Sequence, residues 1–257
     1  MTTQEQAPEI EVGPFWVNDC SRADLVDSMA ELCMPGCTRA ALAFALHVGG
    51  LNARNDRDFV RVMREGDIVY ADGGSVVWLA RLAGALHVER APTTDIGWDL
   101  LRGFAQRVGR LPRVALIGGP SGLAGRAGVV LETAGVAEVV LVEHGFHDDW
   151  TQPLSRLHDA HPDITVVGLG APREMMWTEQ HREVLPPGLV LTCGGWFGHL
   201  VGDERRAPRL LRRSGLEWIA RVAQSPTRLG PRYARGIWVT AGLAIRARQR
   251  RQRSSRT

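Results

Sequence analysis

Two hydrophobic patterns alternate along the chain from about residue 22. Short runs rich in β-branched residues are typical of strands, and they predict strands at Asp67–Ala71, Val114–Ile117, Val139–Val142, Thr165–Leu169 and Leu189–Thr192. Longer stretches with helical spacing predict helices at Arg22–Leu32, Asp56–Arg64, Ser75–Leu82, Asp95–Val108, Gly122–Ala134, Asp149–His161 and Glu174–Val184. Alternation of this kind needs crossover connections, so the pattern predicts an α/β fold with a Rossmann-like, mostly parallel sheet flanked by helices.

The pattern changes near Asp203, where arginine becomes frequent and apolar residues keep a helical spacing at Leu216, Ile219 and Val222. We therefore divide the chain into a core of residues 1–202, with residues 1–20 as a loose lead-in, and a helical Arg-rich appendage of residues 203–257. A length of 257 residues is sufficient for one large domain with such an appendage.

The last segment, Gly236–Thr257, begins with apolar residues that include Trp238 and ends with six arginines. An apolar patch followed by a cationic tail suits an anionic membrane surface, where each basic residue contributes about 1 kcal/mol. The alternative is a disordered basic tail, or one that contacts RNA nonspecifically, and the segment alone does not separate these interpretations.

Charge and targeting signals indicate where the protein is located and what kind of ligand it can bind. All 31 basic residues are arginine, which suits planar, bidentate binding of phosphates, although a GC-rich coding bias is the simpler explanation. The polar start, Met1 to Val12, is unlike a secretory signal, and no apolar run approaches the roughly 20 residues of a membrane-spanning helix. We expect a cytoplasmic protein, peripheral at the inner face of the membrane, with its four cysteines as free thiols.

Ligands of open parallel sheets bind beyond the carboxyl ends of the strands, which directs attention to the loops that follow them. Asp72 comes directly after the strand Asp67–Ala71 and is followed by Gly73 and Gly74. A carboxylate at this place can act as a general base toward a substrate hydroxyl. The alternative is that Asp72 or Ser75 caps the next helix.

Two glycine-rich loops follow later strands. Gly118 and Gly119 lie between a strand and a helix, where backbone can hold phosphate or ribose against a helix N-terminus. Gly170 and Arg173 follow the strand Thr165–Leu169, and Arg173 is a candidate anion contact. Neither loop has the G-x-G-x-x-G or Walker spacing, so a tight structural turn is the alternative for both.

Histidines give weaker signals. His47 follows a further strand-like segment and is interpreted either as a core histidine or as a donor in the cleft. His144 and His147 lie beside Asp148 and Asp149, but their spacing at a loop-to-helix boundary is poor evidence for a metal site. We therefore expect no metal.

Read in chain order, a set of short motifs resembles the WecG/TagA/CpsF family, glycosyltransferase family 26, over roughly Ala41 to Tyr233. The motifs are Asp72-Gly73, Glu89-Arg90 with Thr93 and Asp95, Ile117-Gly118-Gly119, Val167-Gly168-Leu169-Gly170 with Pro172, Arg206-Ala207-Pro208, Leu216-Glu217-Trp218 with Arg221, and Pro226 with Arg228. Each motif is short, but the ordered set that ends in Arg-Ala-Pro and Glu-Trp-x-x-Arg is specific.

The resemblance implies an inverting, metal-independent enzyme that needs no cofactor. Such enzymes typically move N-acetylmannosamine from a UDP-sugar donor to an undecaprenyl-diphosphate-linked N-acetylglucosamine in teichoic acid, enterobacterial common antigen or exopolysaccharide synthesis. They have a Rossmann-like core and a C-terminal appendage that completes the site at the membrane, and relatives self-associate. A homo-oligomer is therefore a possible partner arrangement, and no nucleic acid partner is expected.

The same resemblance assigns roles to residues. It implies that Asp72 is the catalytic base and that fixed cations and backbone N–H groups stabilise the departing diphosphate. The expected donor and diphosphate contacts are Gly118, Gly119, Gly170, Arg206, Arg221, Arg228 and Arg232. The expected acceptor or pocket residues are His47, Arg90, Asp95, Arg173 and Glu174.

The chain departs from the family pattern near the expected pocket. The Thr-x-Asn of the first core strand is absent, and Phe44 to His47 occupies that region. The Pro-Lys-Gln-Glu stretch reads Pro172-Arg173-Glu174-Met175, Thr93 stands where glycine is common, and Gly198 stands where an acid is expected. These changes predict a different sugar or acceptor. One alternative is a non-catalytic scaffold at the membrane. The other is a nucleotide-dependent oxidoreductase, although the missing G-x-G-x-x-G motif argues against it.

Overall fold

The computed structural model describes residues 7–203, 222–223 and 226–254. Its strands are β1 (Glu9–Val12), β2 (Phe15–Asn18), β3 (Ala40–Leu46), β4 (Ile68–Ala71), β5 (Arg113–Gly118), β6 (Glu138–Glu143), β7 (Ile164–Gly168) and β8 (Gly188–Thr192). Its helices are α1 (Arg22–Leu32), α2 (Val48–Asn52), α3 (Arg57–Arg64), α4 (Gly74–Ala83), α5 (Thr93–Val108), α6 (Leu123–Thr133), α7 (Thr151–Asp159), α8 (Arg173–Gln180), α9 (Trp196–Leu200) and α10 (Pro226–Ser254), with a 3₁₀ turn at Arg182–Val184.

Six strands form one parallel sheet in the order β4-β3-β8-β7-β5-β6. Every residue of β3, β4 and β8 is buried, because helices cover both faces of the sheet, and this explains why their sequences are continuous apolar runs. The predicted parallel α/β fold is confirmed. Strand β3, which lies next to the edge strand β4, is the one strand of this sheet that is missing from the strands predicted by periodicity.

Alternate side chains of β3 divide the core into two layers. Phe44 and Leu46 pack with Phe59 of α3 and Val76 of α4 on one face. Ala43 and Ala45 belong to the cluster on the opposite face, which also contains buried side chains of α1, α5, α6 and α9. From residue 42 to residue 46, β3 thus presents its large side chains to one layer and its small ones to the other.

The interpretation of residues 1–20 as a loose lead-in is wrong for its described part. Residues 9–18 form an antiparallel hairpin whose turn includes Gly13 at φ +67°. Phe15 and Val17 are fully buried and Trp16 points outward, which is the period-two pattern of a half-buried strand. Asn18 Oδ1 accepts the N–H of Val69 at 2.8 Å, so the hairpin is fixed to β4. Strands of four residues are too short to stand out as a periodic signal.

The predicted apolar patch of the tail is divided between core and surface. Residues 226–254 form one helix, and Val239 and Leu243 are buried in the same cluster as β3. Ile237, Trp238 and Ile245 are exposed, Trp238 to 81%. The helix therefore packs on α2 and α4 by one face and leaves a second apolar stripe uncovered. In the part of the chain that the structure describes, no helix combines the length and apolarity of a bilayer span.

Candidate active site

Five loops meet at one edge of the sheet because all six strands run in the same direction. The pairings Leu46↔Ala71, Val167↔Thr192 and Gly118↔Gly168 bring the carboxyl ends of β3, β4, β5, β7 and β8 to a common level. Gly118 is the last residue of β5, and the strand ends are followed by His47, Asp72, Gly119, Gly170 and the Cys193–Gly194 step. This is the edge at which parallel sheets bind ligands.

Asp72 is held by its backbone and does not cap α4. Its N–H donates to the Leu46 carbonyl at 3.0 Å, and its own carbonyl accepts from Arg90 Nε at 3.3 Å. The N-cap residue of α4 is Gly73, which makes no side-chain cap bond. Neither Asp72 nor Ser75 is therefore the N-cap residue of α4, and Asp72 stands half-buried directly after β4.

His47 is also at the edge and not in the core. It is half-buried, caps α2, and accepts the Gly49 N–H on Nδ1 at 2.9 Å. Arg232 of α10 places Nη2 3.3 Å from the same nitrogen, and Asn52 Nδ2 fixes the Arg232 carbonyl at 2.9 Å. Of the two interpretations of His47, the core histidine is wrong.

Close packing brings the loops after β3 and β4 and helix α10 together at one corner of the edge. A Cβ on Gly49 would lie 2.0 Å from Arg232 Nη2, so the guanidinium rests directly over the first turn of α2. A Cβ on Gly73 would lie 3.5 Å from the Cα of His47, so the loops after β3 and β4 touch. Three segments far apart in sequence thus bring a carboxylate, an imidazole and a guanidinium to one corner of the edge.

The two glycines at the end of β5 are required by the turn itself. Gly118 has φ +143°, and a Cβ there would lie 2.3 Å from the carbonyl oxygen of Gly168. Gly119 has φ +66°, and its N–H donates to that same carbonyl at 3.2 Å. The tight-turn interpretation therefore explains both glycines without a ligand, and a diphosphate role for them remains a prediction.

In the loop after β7, Gly170 borders open space, whereas Arg173 is held by contacts with the loop after β6. Gly170 has φ +78°, and a Cβ there would meet nothing within 4 Å. Arg173 turns toward the β6 end, where Nη2 donates to the Gly145 carbonyl at 2.8 Å and the guanidinium lies 5.6 Å from the Phe146 ring centroid. Arg173 is thus well separated along the edge from the Asp72 corner by the order of the strands.

Glu174 is completely buried, which the sequence does not indicate. Its Oε2 accepts the N–H of Gly170 at 2.9 Å and of Gly194 at 3.1 Å. Burial raises the pKa of this carboxyl to about 7, and the negative charge of Asp72 adds to the rise, while the N–H bonds oppose it. The expected pocket-lining residue is instead enclosed behind the loops.

Tyr70 is a polar group of the site that the sequence analysis omits. Its hydroxyl lies beneath the edge, 2.7 Å from Thr93 Oγ1 and 3.4 Å from the Thr192 carbonyl. Burial raises its pKa well above the ordinary value, with a further contribution from Asp72. The available signal was a hydroxyl-bearing residue inside an otherwise apolar strand.

The remaining predicted site residues fall elsewhere. Asp95 lies in the first turn of α5, with Oδ2 3.8 Å from Nη1 of Arg22 on α1. Arg206 and Arg221 lie outside the described residues, and the side chain of Arg228 does as well. Of the four predicted diphosphate arginines, the structure describes the side chain of Arg232.

A parallel α/β chain with a carboxylate, an imidazole and an arginine at the carboxyl edge of its sheet has the architecture of α/β enzymes, in which ligands bind beyond the strand ends. The particular family follows from comparison with known proteins. The model of the WecG/TagA/CpsF family of glycosyl transferases matches residues 10–254, and the chain belongs to that family.

Membership of this family establishes the general reaction of the chain. The chain is a glycosyltransferase of cell-surface polysaccharide synthesis that uses a nucleotide-sugar donor and a lipid-linked acceptor. The oxidoreductase alternative is abandoned on this finding. The matched range begins within the hairpin and extends to the last residue of α10, so both belong to the region that the family shares.

Proposed function

We propose that the chain is an inverting, metal-independent hexosyltransferase. It moves an N-acetylhexosamine such as N-acetylmannosamine from a UDP-sugar to an undecaprenyl-diphosphate-linked sugar, at the inner face of the membrane, for teichoic acid or exopolysaccharide synthesis. The observation that carries the proposal is the corner at the ends of β3 and β4, where Asp72 lies beside the His47–Arg232 pair. The family match supports the general reaction.

The chemistry follows from the charges at this corner. The Asp72 carboxylate takes the proton from the acceptor hydroxyl as that oxygen attacks the anomeric carbon. The bond from the anomeric carbon to the diphosphate oxygen breaks, and UDP leaves with the electron pair. Arg232 offsets the developing charge, together with the predicted contacts Arg206, Arg221 and Arg228. One displacement at the anomeric carbon inverts its configuration.

The exposed face of α10 supports docking on an anionic membrane. Trp238 and Ile245 are exposed and lie seven positions apart, on the same side of the helix. Arg235 and Arg246 line, with Arg54, a groove of about 290 Å³ beside Trp238. An exposed aromatic residue flanked by cations is the arrangement that binds at a lipid headgroup surface.

The experiment that tests this function is donor turnover without divalent metal. Purified protein is incubated with UDP-, GDP- and dTDP-sugars and a short lipid-diphosphate N-acetylglucosamine acceptor, with and without EDTA, and nucleotide release is measured. Acceptor-dependent release of UDP in EDTA is the expected result. Release that stops on adding EDTA would contradict the metal-independent mechanism, and donor binding without any release would favour the scaffold alternative.

A further inference from the structure

Glu174 connects the two central loops of the site. It lies in the first turn of α8, directly after the β7 loop, and one of its oxygens receives N–H bonds from both the β7 and β8 loops. Its other oxygen, Oε1, is buried and makes no well-aligned hydrogen bond with the described residues, although the Leu169 N–H is close enough to the carboxyl to lower its pKa. Complete burial with one oxygen that lacks a well-aligned donor makes the ionised carboxylate costly, and this cost favours the neutral acid over the opposing effect of the backbone N–H bonds.

The groups that face Glu174 favour the same protonation state. Asp72 contributes negative charge from the end of β4, and Tyr70 and Cys193 face it from β4 and from the β8 loop. Burial raises the pKa values of Tyr70 and Cys193 well above their ordinary values, so neither carries charge near neutrality. On its own helix, the Arg173 guanidinium is engaged with the Gly145 carbonyl. No cation among these described neighbours is directed at the carboxyl.

We propose that Glu174 is a positioning residue that works as a neutral acid: it holds the β7 and β8 loops together and makes donor binding depend on its proton. This inference rests on the proposed function. A neutral Glu174 leaves Asp72 as the negative charge at this part of the edge and spares the donor diphosphate a second, buried negative charge. An ionised Glu174 keeps the loop contacts but repels the diphosphate, so the donor binds more weakly.

The sign of the effect follows from linkage. A donor that binds the protonated form better raises the pKa of Glu174 in the complex, and so binding takes up protons. Donor affinity then falls as pH rises through about 7, where the free carboxyl ionises. Each unit by which the bound donor raises that pKa corresponds to a tenfold loss of affinity at high pH.

The first test is the pH dependence of donor binding to the full chain. The dissociation constant for UDP-N-acetylmannosamine is measured by calorimetry between about pH 6 and 8.5, in buffers that differ in ionisation enthalpy. The donor diphosphate is fully ionised throughout this range and adds no titration. Wild-type protein is expected to take up protons and lose affinity with pH. Glu174→Gln keeps an acceptor oxygen and a donor group but does not titrate, so its affinity is expected to be flat.

A matched control lies on the same helix. Glu179 pairs with Arg61 on the outer side of α8, and Glu179→Gln is expected to keep the wild-type pH profile. An equal pH dependence in wild type and Glu174→Gln would overturn the proposal. A profile lost in both glutamine variants would also overturn it, because the effect would then belong to the helix and not to Glu174.

A second measurement does not depend on the donor or on a stable variant at position 174. Infrared spectra of wild type show whether a protonated carboxyl persists at pH 6 and disappears by about pH 8. Asp72→Asn removes the neighbouring negative charge and is expected to move this transition to lower pH. A carboxyl already ionised at pH 6 would overturn the proposal. A neutral carboxyl in a protein that binds no UDP-sugar would remove the link to the donor and contradict the proposed function, so the two failures are distinguishable.

Discussion

The edge formed by the carboxyl ends of the strands has two halves, one at β3 and β4 and the other at β5 and β7, and they differ in composition. At the ends of β3 and β4, the edge consists of side chains, and Asp72, His47 and Arg232 meet through contacts between α10 and two loops. At the ends of β5 and β7, it consists of backbone, and Gly118 packs directly on the carbonyl of Gly168. In the proposed mechanism the first half supplies charge for proton transfer, and the second half supplies shape. Substitutions in the first half should therefore change catalysis, and those in the second should change folding.

The largest effect is expected from Asp72→Asn. The amide keeps the size of the side chain and cannot take a proton, so turnover should fall by about 10²–10⁴-fold while donor binding persists. Steady-state turnover and calorimetric binding measure the two parts. Asp148→Asn removes an exposed acid beyond the other end of the edge and is the matched control, with turnover close to wild type. Unchanged turnover in Asp72→Asn would remove this residue from the mechanism.

Gly118→Ala tests the backbone half. The new Cβ would lie 2.3 Å from a main-chain oxygen at φ +143°, and neither atom can move without disturbing the sheet. We expect the free energy of unfolding to fall by at least about 2 kcal/mol, measured by urea denaturation. Gly125→Ala is the control, because a Cβ at that helical position meets nothing within 4 Å. Full stability in Gly118→Ala would contradict the shape role.

Gly49→Ala tests the charged half with the same chemical change. Its Cβ would lie 2.0 Å from Arg232 Nη2 and 2.7 Å from His47 Cε1, so both side chains must shift, but neither contact is with backbone. We expect nearly unchanged stability and a fall in kcat/KM of about tenfold, which corresponds to about 1.4 kcal/mol of lost transition-state stabilisation. Loss of stability with normal activity per folded molecule would reverse the assignment of the two halves.

The smallest effect is expected from the exposed face of α10. Trp238→Ala removes an exposed side chain, so the fold should be unaffected, and binding to vesicles of anionic lipid should weaken several-fold. Flotation with vesicles measures this effect. Leu243→Ala, on the buried face of the same helix, should instead cost about 2–5 kcal/mol of stability. Equal vesicle binding by wild type and Trp238→Ala would contradict docking through this face.

The sequence was sufficient for the parts that depend on local pattern. The predicted strand Leu189–Thr192 differs from β8 by one residue, because burial on both faces leaves a plain apolar run. The hairpin at residues 9–18 was not predicted from the sequence, because its strands have four residues each. A pattern over so few positions does not stand out from a loop.

The site was less predictable because its geometry depends on tertiary approach. Asp72 and His47 follow strand ends, and topology alone brings them to one edge. The contact of Arg232 with His47 spans 185 residues and requires α10 to dock on α2. The burial of Glu174 requires the β7 and β8 loops to close over it. Neither relation is present in any local pattern.

The central claim is a single displacement at the anomeric carbon, driven by a base at the β4 end. The most direct measurement is the anomeric configuration of the transferred sugar, determined by NMR of the product made from an α-linked UDP-N-acetylhexosamine. The account predicts a β-linked product, because the acceptor hydroxyl attacks opposite to the departing UDP. An α-linked product would contradict direct attack and with it the role of Asp72 as the base.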